Sequence, residues 1–133
     1  MQPRGIRNNN PLNLRIGNDW IGEVQFPSDP LFEQFNSMLY GLRAGMVVLR
    51  RYILHYRRDN ISKIITSWAP SNENDTQRYI DVVSGRMRLE ENKTIRWSDK
   101  DQIVDLVSAM CYVETGCNIS RDLIRQAYDM ARL

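Results

Sequence analysis

The chain has 133 residues, 42% of them apolar and three of them tryptophan, which is enough for one domain with one core. A net charge of +2 and a pI near 8.7 suit an anionic polymer but are too weak to indicate nucleic acid. No stretch reaches the roughly 18 apolar residues of a membrane span, and the opening Met1-Gln2-Pro3-Arg4-Gly5 holds no hydrophobic signal region, so a soluble domain made without an export signal is expected.

Residues 1–36 are rich in Asn, Gly and Pro. Two short alternating stretches, Leu12 to Ile16 and Trp20 to Phe26, flank the turn residues Gly17-Asn18-Asp19. This pattern predicts a small β-hairpin lobe, with Phe32 to Phe35 as a third short strand. Residues 37–133 read as the helical body of the same domain. Leu39, Leu42, Met46, Leu49, Ile53 and Tyr56 step by three and four, predicting a central helix from Ser37 to Arg57. Within it, Gly41 and Gly45 are poor helix formers whose spacing lets another element approach closely.

A shorter helix follows the Asn60 cap and stops before Pro70, and another runs from Asp75 or Thr76 to Leu89. Ser98, Asp99 and Asp101 open a helix over about 98–114, and a Ser120 cap starts the last one. The expected fold is thus α+β and mainly α, about five helices with a small N-terminal β-lobe.

Glu114 stands out. Ile103, Val107 and Met110 recur at helical spacing and Glu114 continues their row, so its side chain should point where the apolar ones point. Burial and the negative end of the helix both disfavour its ionisation. A carboxyl kept protonated near neutral pH is a proton donor of the kind that cleaves a glycosidic bond. A partly solvated helix-end glutamate is the plain alternative.

Cys111 and Cys117 flank it, separated by roughly 9 Å if the helix is unbroken. A disulfide needs a break at Gly116, and two free thiols are the other reading. One histidine, His55, and two cysteines make no metal-ligand pattern, and no phosphate-cradling Gly loop is present, so neither metal nor cofactor is expected.

Three segments resemble the lysozyme-like superfamily of peptidoglycan-cleaving enzymes, above all the lytic transglycosylases and bacterial glucosaminidases. Val113-Glu114-Thr115-Gly116 is similar to the motif that closes their acid helix. Asn9 to Arg15, followed by Trp20 and Gly22, is similar to the Asn-rich approach to the glucosaminidase β-lobe. Trp68-Ala69 and Asp75 to Val83 resemble the transglycosylases' aromatic-Asn-Ala segment and Tyr-bearing helix, with Asp75 where they have Glu. The opening up to Leu14 also resembles small phage virion proteins that begin Arg-Gly-Ile-Arg-Asn-Asn-Asn-Pro.

In that family the acid helix comes first, then the β-lobe, then the Tyr-bearing helix. Here the acid helix comes near the end, which resembles a circular permutation. Joining Leu133 to Met1 restores the family order, and it requires the termini to lie close together.

The resemblance implies a lysozyme-like fold with Glu114 in a cleft between lobe and body, protonating the glycosidic oxygen. It implies Asn10 and Trp68 lining the cleft, Thr76 and Tyr79 holding the N-acetylated sugar from the opposite side, and Tyr112 covering a sugar face. A transglycosylase needs no second carboxylate. A lysozyme-type hydrolase needs one about 5–5.5 Å away for retention or 6.5–9.5 Å for inversion, and Asp19, Glu23 and Glu73 are the candidates.

Each residue has an ordinary reading beside this one. Asn8 to Asn10 can cap local backbone. Trp20, Trp68 and Tyr79 can be core. Glu73 to Thr76 can be a helix cap. The arginines at 43, 50, 51, 57 and 58 can be a solvated flank, or a basic face toward an anionic wall polymer or nucleic acid.

The expected function is a peptidoglycan-cleaving muramidase, foremost a lytic transglycosylase with Glu114 as its single acid/base. The alternative is a non-catalytic phage virion or wall-binding protein of the same fold. Expected partners are peptidoglycan glycan strands and components of a virion or secretion machine, with no nucleic acid. Action on the wall in the periplasm then needs delivery by a virion, a lysis pore or a secretion system.

Overall fold

A computed structural model of the chain describes residues 2–72 and 74–131. It is mainly helical. Among the described residues there are six helices: α1 (Arg4–Arg7), α2 (Met38–Leu54), α3 (Ile61–Trp68), α4 (Thr76–Met87), α5 (Lys100–Thr115) and α6 (Arg121–Ala131). The five longer ones lie where the apolar periodicity puts them, and α1 is an addition that four residues cannot announce by periodicity.

Side-chain caps explain most of the starts. Ser37 Oγ accepts from the Tyr40 amide, Asn60 Oδ1 from Lys63 at 2.8 Å, Asp75 Oδ1 from Arg78, and Asp99 Oδ1 from Gln102, each satisfying an amide that has no intrahelical partner. At α5 the cap is Asp99 rather than Ser98. α2 ends at Leu54, short of Arg57, because the chain turns back there. Arg57 sits at φ 52° and the Arg58 amide donates to the Tyr52 carbonyl.

The core is one cluster formed by all the helices after α1, joined by Leu12, Ile95 and Trp97. Its most enclosed member is α5, which buries Ile103, Val104, Leu106, Val107, Met110 and Cys111 and touches α1, α4 and α6. It takes the central place that the periodicity gave to α2, which packs chiefly on α6.

The expected hairpin is not formed. Residues 12–16 do not pair with 20–26; both stretches bond instead to 31–36. The Glu33 amide donates to the Leu14 carbonyl and the Ile16 amide to Leu31, while Val24 donates to Gln34 and Asn36 to Gly22. The result is two isolated antiparallel bridges, Arg15 with Phe32 and Glu23 with Phe35. The register comes from Asn10, fully buried, whose Nδ2 donates to the carbonyls of Leu14 and Glu33 and whose Oδ1 accepts from the Leu14 amide. One side chain thereby ties the first stretch to the last and bypasses the middle one.

This N-terminal lobe is seated on α2 through the two glycines. A Cβ on Gly41 would lie 1.7 Å from the Asn9 carbonyl oxygen, and one on Gly45 would lie 2.3 Å from Leu12 Cδ1. The close approach expected from their spacing is therefore made by backbone at one glycine and by a core leucine at the other. Asn9 and Asn13 both adopt φ 52°, a left-handed conformation that asparagine tolerates better than most residues. Both ends of the junction required by a permutation, Met1 and Leu133, lie outside the described residues.

Candidate active site

Glu114 occupies the last turn of α5, which is closed by Gly116 in the left-handed region at φ 72°. Its row on the helix is the buried one, as its spacing from Met110 and Val107 requires, and its carboxyl is held at both oxygens. Asn13 Nδ2 donates to Oε1 at 2.8 Å and the Tyr79 hydroxyl donates to Oε2 at 2.9 Å. Burial pushes the Glu114 carboxyl above the usual carboxylate range, and the two donors, Asn13 and then Tyr79, pull it partly back. Tyr79 is itself buried, and its phenol is held well above its ordinary value by that burial and by the carboxyl it faces.

The carboxyl opens onto a pocket of about 240 Å³. Leu12, Asn13, Arg15 and Phe32 form one wall from the lobe, and Trp68, Ala69 and Asn74 form the other from the end of α3 and the turn after it. Trp68 is fixed by its indole N–H, which donates to the Leu12 carbonyl, and by edge-to-face packing on Tyr52. Arg15 lies over the Phe32 ring at 5.1 Å. Glu114 is the single carboxylate among the described lining residues.

The pocket thus combines a carboxyl whose burial favours its neutral form, two side-chain donors that hold it, and a wall carrying aromatic rings and one cation. This suits general acid catalysis on a neutral or anionic substrate.

No family model matches the chain. It is 37% identical, over 131 residues, to Protein P5 of Pseudoalteromonas phage PM2, an alignment covering 95% of this chain and 80% of that protein. The chain belongs to the family of that phage protein. A phage relative agrees with the resemblance of its opening residues to phage proteins.

Of the residues singled out in the sequence, the structure brings together Glu114, Tyr79 and Trp68. Asn10 does not line the pocket, because its amide is consumed in holding the lobe together. We expect Asn10→Ala to lower the unfolding free energy in urea by about 3 kcal/mol, since it strands buried main-chain groups of Leu14 and Glu33. Thr76 is also structural, its hydroxyl donating to the Ala69 carbonyl at 2.5 Å from a buried position. Tyr112 faces away from the pocket lining, with the Arg86 guanidinium 3.9 Å from its ring centre.

The candidate second carboxylates lie elsewhere. Glu23 and Asp19 surround Glu33 rather than Glu114. Glu33 is buried, and its carboxyl is pushed up to about 7 by that burial and by the facing Glu23. Glu23 also accepts from the Trp20 amide. Glu73 lies outside the described residues. Cys111 and Cys117 are free thiols, and Cys111 is buried with its thiol pushed up, first by burial and then by Glu114.

Asn13 was missed. Its signal was available: an asparagine in an Asn-Pro-Leu-Asn string, a residue type that accepts positive φ while offering an amide to a neighbour.

Proposed function

We propose that the protein cleaves the glycan strands of peptidoglycan as a lytic transglycosylase-type muramidase, on a lysozyme-like fold in permuted order, with Glu114 as general acid and then general base. The observation that carries this reading is the Glu114 carboxyl, half-buried at the pocket and held by Asn13 and Tyr79.

The neutral carboxyl has one sensible place for its proton. Asn13 Nδ2 is an obligate donor to Oε1, so the proton belongs on Oε2, beside a tyrosine hydroxyl able to donate or accept. Transfer of that proton to the glycosidic oxygen breaks the bond, and the N-acetyl group supports the positive charge on the sugar. The resulting carboxylate, steadied by the same two donors, removes the proton from the sugar's own hydroxymethyl group as its oxygen closes onto the anomeric carbon. The product is an anhydro-muramoyl end and the carboxyl is restored. This sequence needs one carboxylate, in keeping with the described lining. The phage relative favours delivery to the wall by a virion.

Mass spectrometry of muropeptides released from purified sacculi tests the reaction. Anhydro ends are expected. Reducing muramic acid would make the protein a lysozyme, and reducing glucosamine a glucosaminidase.

A second test concerns Tyr79→Phe. The hydroxyl lowers the pKa of Glu114, so its loss raises that pKa. Activity that depends on the protonated acid falls as pH rises through this value, and the alkaline limb of the pH–rate profile should therefore move to higher pH. A limb that stays in place or moves down would mean that Tyr79 does not act on the acid.

A further inference from the structure

The positive charge of this protein is not spread evenly. From Arg43 to Arg58 the sequence holds five arginines and no acidic residue, so the remainder, with thirteen basic and sixteen acidic residues, is net negative. Among the described residues none of these five arginines pairs with a carboxylate. Asp59, the acidic residue that follows them in sequence, turns to Lys63.

The C-terminal end of α2 and the residues just after it also leave large apolar side chains in solvent. Leu54 is 51% exposed and Tyr56 63% exposed. Arg51, Leu54 and His55 share one side of α2 by their spacing of three and four. The Arg51 guanidinium lies 6.0 Å from the ring of Trp20, whose neighbour Ile21 is 60% exposed. Beyond the helix, Arg58 is held between the rings of Tyr52 and Tyr56 at 4.9 and 5.0 Å, which presents its charge without burying it.

We infer that this face, at the C-terminal end of α2 and the adjoining Trp20-Ile21 loop, docks on an anionic phospholipid surface. Arginines meet the phosphates while Ile21, Leu54 and Tyr56 enter the boundary beneath them. The combination decides between polyanions. A nucleic acid takes arginines and stacks on aromatic rings, but has no use for exposed aliphatic side chains. A bilayer interface takes all three kinds, with Tyr and Trp at headgroup level and Leu and Ile just below. The inference does not depend on the chemistry at Glu114.

Flotation of the full chain with vesicles tests it. The protein should rise with phosphatidylethanolamine vesicles that contain phosphatidylglycerol, stay down with phosphatidylcholine alone, and release as salt increases. Each arginine near such a surface is worth about fivefold in partition, so the double reversal Arg51→Glu with Arg57→Glu should cost at least about twentyfold. Leu54→Ser with Tyr56→Ser should weaken binding while leaving its salt dependence intact.

The parent alone can overturn the proposal, by staying down with anionic vesicles or by rising equally with both kinds. It is overturned as well if the Leu54 and Tyr56 variant binds like the parent and duplex DNA displaces both, which would mark a face for nucleic acid.

Discussion

Glu114→Gln should leave the protein folded and slow the clearing of purified sacculi by about 10³-fold, within the 10²–10⁴ range that a general acid contributes, or about 4 kcal/mol of barrier. The side chain keeps its shape and loses only its transferable proton. Its amide oxygen can still accept from Asn13, and its amide N–H can face the Tyr79 hydroxyl, which rotates to accept. A long contact of 3.5 Å to the Met110 carbonyl then receives the tyrosine proton.

Stability supplies an independent reading of the same substitution. The folded state holds the Glu114 pKa above its unfolded value, so the parent loses stability as pH rises from the unfolded value to the folded one. Glutamine removes that loss. The variant should melt with the parent in acid and above it at neutral pH. Clearing at the parental rate by a folded variant would end the assignment of Glu114.

The second large effect is on the fold. Gly41→Ala should lower the melting temperature by about 10 °C, a loss of about 3 kcal/mol, although alanine favours helix by about 1 kcal/mol. The added methyl would lie 1.7 Å from the Asn9 carbonyl oxygen, and that atom is main chain pinned on both sides. Asn9 Nδ2 donates to the Phe35 carbonyl and the Phe35 amide donates to Asn8. Neither backbone can give way without unseating the lobe.

Gly85, also inside a helix, has nothing within 4 Å of where a Cβ would stand. There the helix preference acts alone, and Gly85→Ala should raise stability by about 0.5–1 kcal/mol. Differential scanning calorimetry of the pair separates propensity from packing. Equal signs would contradict the seating of the lobe on α2.

What could be read from the sequence is what is local. Helix starts at Asn60, Asp75 and Ser120 depend on a side chain reaching an amide three residues on, and all three are present. The buried row that carries Glu114 follows from 3.6-residue periodicity.

Strand partners were not legible. The choice between residues 20–26 and 31–36 is made by the Asn10 amide, whose bonds span up to 23 residues. The clustering of Glu23 with Glu33 depends on the same rearranged pairing. Tyr112 is a different case: residues two apart on a helix do not face each other, so its placement away from Glu114 was available from helical geometry and conflicts with a role over the sugar.

The bond between Asn13 and Glu114 joins residues 101 positions apart. Synthesis runs from the amino end, so Asn13, Arg15 and Trp68 leave the ribosome well before the acid exists. A chain cut short before residue 114 therefore lacks the carboxyl onto which this pocket opens. The pair forms only when α5 meets the N-terminal lobe, so a protease nick that frees the residues up to Asn13 should strip Glu114 of that donor.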